Sequence, residues 1–137
     1  MANYKGGCMC GGVRYEVSAD PVFTANCHCR DCQRDTGSAY YSGLAVPKTA
    51  VSIAGEVKYY ESIADSGRSI ARGFCPKCGS HVFTKPSAIP ELIGIAATSL
   101  DDPSSFKPGM DFYIASAQSW DYMNPTLPKF PKMPPIE

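Results

Sequence analysis

Seven cysteines in a chain of 137 residues limit its possible folds more than any other feature. An odd number cannot all pair internally. The start, MANYKGGCMC, has one lysine and no apolar segment behind it like that of a signal peptide, so a reduced, cytoplasmic setting is expected. In that setting metal binding or thiol chemistry is favoured over a disulfide framework. The cysteines fall into two constellations. Cys8 and Cys10 are spaced C-x-C, and on an extended backbone such residues face one side. Cys75 and Cys78 form C-P-K-C-G, a knuckle pattern in which a tight turn aims two sulfurs together and Gly79 can take a positive φ. The four together suit a tetrahedral all-thiolate zinc site joining the N-terminal segment to the middle of the chain. A redox C-x-x-C normally opens a helix in a βαβ setting, which this pattern lacks.

The second constellation, Cys27-His28-Cys29-Arg30-Asp31-Cys32, brings three thiolates into a single loop. A structural zinc takes four protein ligands, whereas three leave a position for water or substrate, as a catalytic site requires. The alternatives are a fourth ligand from His28 or a remote group, or a loop of reduced thiols. On an extended backbone His28 points away from Cys27 and Cys29, which favours a supporting or packing role. His81, just beyond the knuckle, reads as a packing or surface residue. Arg30, Arg34, Arg68 and Arg72 are donors for an anionic substrate or surface charges, including partners for Asp31 and Asp35. Trp120 with Tyr122 reads as core, or as the flank of a pocket.

Lysine plus arginine and aspartate plus glutamate both total 13, which lacks the basic excess of a nucleic-acid binder. No apolar run approaches the roughly 20 residues of a membrane span. The length predicts a single domain, 1–137. Val13, Tyr15 and Val17 alternate with polar residues, the period of a half-buried strand. Further β-rich runs lie at Val22–Ala25, Ala39–Val46, Ala50–Ala54, Val57–Ile63, Ser69–Phe74, His81–Thr84, Leu92–Ala97 and Phe112–Ala115. Turn residues separate several of them. One short helical turn is expected within Leu100–Phe106, and no helical stripe runs for three turns. The fold class is mainly β. Pro125, Pro128, Pro131, Pro134 and Pro135 make the tail, about 124–137, an extended strap that excludes ladder or helix, with Leu127 and Phe130 as anchors.

The motifs G-x-C-x-C-G-x-V-R-Y, C-H-C-R-D-C-Q-R-D-T-G-S and F-C-P-K-C-G-S resemble those of the glutathione-dependent formaldehyde-activating enzyme family. They span Gly6 to Ser80, and Ala117-Gln118-Ser119-Trp120 with Leu127-Pro128-Lys129-Phe130 is similar to the family's C-terminal strap. The resemblance implies a zinc-containing β-tent of stacked antiparallel sheets. It also implies a structural zinc on Cys8, Cys10, Cys75 and Cys78 and a catalytic zinc on Cys27, Cys29 and Cys32. The implied activity is that of a carbon–sulfur lyase, with glutathione and formaldehyde combining to S-hydroxymethylglutathione. The competing reading is a non-catalytic zinc-stabilised binding module whose second cluster is empty or transiently filled. A methionine sulfoxide reductase needs a redox cysteine outside the zinc set, and the count leaves none.

Overall fold

The computed structural model describes residues 3–134. Pro135, the last proline of the expected strap, lies outside the described residues with Ile136 and Glu137. Two sheets form. The smaller one orders β1 (Tyr4–Gly7), β2 (Arg14–Val17) and β5 (Val51–Ala54) side by side, all antiparallel. The larger has seven strands: β3 (Phe23–Cys27), β4 (Tyr41–Pro47), β6 (Lys58–Ile63), β7 (Ser69–Phe74), β8 (His81–Pro86), β9 (Leu92–Ala96) and β10 (Asp111–Phe112). Their spatial order is β10-β3-β4-β9-β8-β7-β6. The fold is mainly β, as expected, but the sheets are not wholly antiparallel, because β10 runs parallel to β3.

The large sheet uses its two faces differently, which follows from the two-residue period of a strand. Leu44 and Val46 of β4 and Ile93 and Ile95 of β9 turn toward Tyr15 and Val17 of β2, and with Val13, Val82 and Phe83 they make the core. Tyr15 packs edge-on against Phe83 at 5.5 Å between ring centroids, and its hydroxyl meets the Ser99 hydroxyl at 2.7 Å. The opposite face carries the row Phe23, Ala45, Gly94, Thr84 and Arg72, which cross-strand register places side by side. Its middle members are small, so that face is concave.

Several expected boundaries shift. The seven-residue helix α1 (Arg30–Thr36) lies where no helix is expected; Cys29 caps its start, and Gly37, at φ 66°, ends it in the left-handed conformation. Seven residues are too few for an apolar stripe to show. β1 also lies where no strand is expected, since Tyr4-Lys5-Gly6-Gly7 carries little β-forming side chain. The strand expected at Phe112–Ala115 stops at Phe112, because Tyr113 adopts a left-handed backbone at φ 56° and a 3₁₀ turn follows at Ile114–Ser116. The turn expected within Leu100–Phe106 is a 3₁₀ turn at Pro103–Ser105.

The tail forms no strand or helix of its own among the described residues, but one isolated bridge ties it to β10. Lys129 bridges Asp111 in parallel, and Phe130 N–H donates to the Asp111 carbonyl at 2.9 Å. Proline removes a donor but keeps its acceptor: the carbonyls of Pro128 and Pro131 take the N–H groups of Asp111 and Ala115. Leu127 and Phe130 are half-buried. No helix among the described residues is long and apolar enough to cross a membrane.

Candidate metal centres and active-site cavity

The first cysteine group is assembled by two turns. Cys8 and Cys10 sit in the turn between β1 and β2, not on the extended backbone expected of a C-x-C pair. A strand would commit its N–H groups to a ladder; the turn instead frees Val13 N–H to donate to Cys8 Sγ at 3.1 Å and Gly12 N–H to Cys10 Sγ at 3.4 Å. Gly11 takes φ 80° to make that turn. Cys75 and Cys78 lie in the β7–β8 turn, closed by Gly79 N–H to the Cys75 carbonyl at 2.8 Å with Gly79 at φ 77°. The sulfurs of Cys8 and Cys10, and of Cys10 and Cys75, are 3.7 Å apart, and all four lie within 4.8 Å of one another. Hydrogen bonds from the Ser80 hydroxyl and then its backbone bring the Cys78 thiol down to about 5.

The second group forms where β3 runs into α1. Cys27 ends the strand, Cys29 caps the helix and Cys32 lies in its first turn, so the three sulfurs also converge within 4.8 Å. Cys29 Sγ accepts the Cys32 N–H at 3.2 Å. Hydrogen bonds from the Cys27 and Cys32 thiols, aided by that N–H and by the Arg72 charge, hold the Cys29 thiol well below its ordinary value. The same sharing pushes Cys27 and Cys32 up. Both groups have the donor type and closeness to chelate a metal ion, and among the described residues no fourth histidine, cysteine or carboxylate joins the second.

His28 does not complete it. The ring is buried, with Nε2 2.9 Å from Asp111 Oδ1 and Nδ1 hydrogen-bonded to Asp121. Two carboxylates on one ring require a proton at each contact, on imidazolium or on a carboxyl. Gln33 extends the network, its amide donating to the His28 carbonyl at 2.8 Å and the Ser116 carbonyl at 3.1 Å. The cysteine loop is thus held by residues 83 and 93 positions away in sequence, and nothing in the local motif signals Asp111 or Asp121.

Lys129 of the tail donates to Asp111 Oδ2 at 2.7 Å and to the Asn124 carbonyl at 2.6 Å. Burial opposes the Asp111 charge, but the bonds from Lys129, His28 and Asn26 outweigh it and hold the carboxyl below the ordinary carboxylate range. Such a group adds stability that is full above its unfolded value, near 4, and is lost as pH falls through the lower folded value. Lys129→Met is expected to cost about 2 kcal/mol at neutral pH and to flatten the loss of stability in acid. Thermal melts from pH 7 to pH 3 check both; a slope like that of the wild type below pH 4 would count against the pairing.

A cavity of about 470 Å³ opens beside the second cysteine group, over the concave face of the large sheet. Cys27, Cys29 and Cys32 form part of its wall, and Phe112, Tyr113 and Pro131 to Met133 bring β10 and the tail to its edge. The cavity also receives Arg72, one of the four arginines considered as substrate donors, and His81, which local reading takes as a packing or surface residue. His81 Nδ1 is paired with Asp35, its Nε2 lies 3.1 Å from Thr84 Oγ1, and Arg72 Nε lies 3.9 Å from Asp35. Arg30 donates to the Gln33 side chain at the rim. Arg34 and Arg68 are exposed. Trp120 and Tyr122 are not core: they are 61% and 95% exposed, beside an open groove that also includes Arg30 and Arg34.

A protein of Aspergillus flavus that carries the name of the formaldehyde-activating family is 30% identical over 87 residues, covering 60% of this chain and 45% of its own length. One of Penicillium rubens with the same name is 32% identical over 78 residues, covering 56% and 40%. The matched segment thus spans less than half the length of these curated relatives. A Rhodobacter sphaeroides protein of known crystal structure shares the fold, with a TM-score of 0.59 at 21% identity over 76% of this chain and 91% of that one. The model of the glutathione-dependent formaldehyde-activating enzymes matches residues 3–116, which hold both cysteine groups and most of the cavity wall, and the chain belongs to that family.

Proposed function

We propose that the protein is a zinc-dependent carbon–sulfur lyase that joins or splits a thiol and a small aldehyde, with glutathione and formaldehyde as the pair the family name suggests. The observation that carries this reading is the three-cysteine group set in the wall of a cavity, with no fourth protein ligand among the described residues. The closed group has a different fit. Four sulfurs at tetrahedral corners, each about 2.3 Å from zinc, stand about 3.8 Å apart, against the 3.7 Å between the sulfurs of Cys8 and Cys10 and of Cys10 and Cys75. Cys8, Cys10, Cys75 and Cys78 would hold a structural ion, and Cys27, Cys29 and Cys32 a catalytic one. Zinc in the three-cysteine site supplies a Lewis acid that favours the thiolate form of a substrate or polarises a carbonyl oxygen.

The chain's own residues do the remaining work. The cavity holds the two reactants together, which converts a bimolecular encounter into an oriented one. In the joining direction the substrate thiol gives up its proton, its sulfur forms a bond to the carbonyl carbon, the carbon–oxygen π bond breaks, and the oxygen takes up one proton to give the hydroxyalkyl thioether. Splitting reverses each change, and no electrons are gained or lost. The His28 network keeps the cysteine loop in place through Asp111, Asp121 and Gln33.

Exchange NMR among formaldehyde, glutathione and their adduct tests the reading. Zinc-loaded protein is expected to broaden or transfer magnetisation between the adduct and free glutathione beyond the spontaneous rate. No acceleration with formaldehyde or other small aldehydes, together with no glutathione binding, would replace the enzyme with a zinc-stabilised binding module.

A further inference from the structure

The cavity is shaped for more than formaldehyde. Its floor is built from Ala25, Gly43, Ala45 and Gly94, and its sides from larger apolar residues such as Phe23, Ile70, Ile89 and Leu92. The small residues are themselves informative, since glycine weakens a strand interior unless something must come close. A Cβ at Gly43 would stand 2.5 Å from the Tyr41 ring, and one at Gly94 would stand 3.4 Å from the Tyr41 hydroxyl. The floor is thus cut away around Tyr41.

Tyr41 pairs with Cys27 across β3 and β4, so the two side chains project from the same face beside the cysteine group. Its hydroxyl oxygen is buried near the Thr84 side chain but makes no hydrogen bond of good geometry with it or with any other described residue. A buried hydroxyl without a partner is costly, and one lining a cavity points to a polar atom of a ligand. The cations of the lining are engaged: Arg72 lies against Asp35 and 3.2 Å from the Ser62 hydroxyl, Arg30 is bonded to Gln33, and Lys132 is 3.2 Å from Asp65. A carboxylate placed deep on the floor would meet apolar walls and no unengaged positive charge.

Resting on the lyase reading above, we infer that the cavity takes a carbonyl compound with an apolar chain or ring, its oxygen at the Tyr41 hydroxyl and its body over the Ala45–Gly94 floor. Tyr41 then donates to the carbonyl oxygen and stabilises the charge that develops there as the carbon–sulfur bond forms, before that oxygen takes its proton. Formaldehyde alone would leave most of the 470 Å³ unfilled.

Hexanamide, an unreactive carbonyl of suitable shape, tests the pocket apart from the chemistry. Titrated into the full chain, it is expected to give saturable amide shifts at Gly43 and Gly94. Ala45→Leu, which fills the floor, should weaken that binding about tenfold, the worth of roughly two buried CH₂ groups. In exchange NMR with glutathione, hexanal should be turned over at least as well as formaldehyde. Ala45→Leu should lower the hexanal-to-formaldehyde ratio, and Tyr41→Phe should slow hexanal exchange by about 100-fold, the effect of losing one oxyanion donor. Acceleration with formaldehyde but no hexanamide shifts at Gly43 or Gly94 would overturn this inference and leave the lyase reading standing. Hexanamide binding without exchange of any aldehyde would support the apolar carbonyl pocket and overturn the lyase. Undiminished hexanal exchange in Tyr41→Phe would overturn the role of its hydroxyl.

Discussion

Cys29→Ser is expected to abolish thiol–aldehyde exchange while leaving the fold in place. Serine is a good helix N-cap, and its oxygen can accept the Cys32 N–H that Cys29 Sγ accepts now, so α1 keeps its start. The chemistry loses one of the three converging sulfurs in the cavity wall. Changing a mere outer partner of a metal ligand commonly costs 10–100-fold, so loss of a ligand should exceed about 100-fold. Zinc content should fall from two per chain to one, with the circular dichroism spectrum unchanged. Retained activity, or a lost fold, would each show that Cys29 is not a separable catalytic ligand.

Cys75→Ser is expected to do the opposite and take the fold with it. Cys75 is buried in the core cluster beside Cys8, and the two turns of the first group meet at these sulfurs and at a hydrogen bond from Met9 N–H to the Ser80 hydroxyl at 3.1 Å. A structural zinc contributes on the order of 10 kcal/mol in small metal domains, comparable with the roughly 5–15 kcal/mol that holds a whole domain. Removing one of four thiolates should therefore bring aggregation or an early melt, and a strong chelator should do the same to the wild type. A melting curve like that of the wild type in Cys75→Ser without metal would refute the assignment. The contrast between the two variants is itself diagnostic, since incidental thiols would give no such division between stability and activity.

The cysteine groups were readable because each pair or triplet is local. C-x-C and C-x-x-C hold their sulfurs within a few bonds of a turn, so spacing alone brings them near one another whatever the rest of the chain does. The core strands were readable for a similar reason: the alternation of Val13, Tyr15 and Val17 assigns a face before any partner is known. Helix α1 was not, because two turns offer no period to detect. Cys29 and Gly37 stand at its ends as possible caps, a faint signal beside the metal-ligand reading of the same cysteine.

What the amino-acid sequence determined by itself is therefore the mainly β class, the two local cysteine pairs and the local cysteine triplet. Which distant residues meet was decided by tertiary structure. Cross-strand register sets Tyr41 beside Cys27 and lines Ala45, Gly94, Thr84 and Arg72 into one concave row; a slip of one residue would turn each of those side chains to the other face. The parallel pairing of β10 with β3 delivers Asp111 to His28, and the tail's bridge to Asp111 delivers Lys129. Local spacing is imposed by covalent geometry, whereas these meetings depend on the packing of the whole sheet.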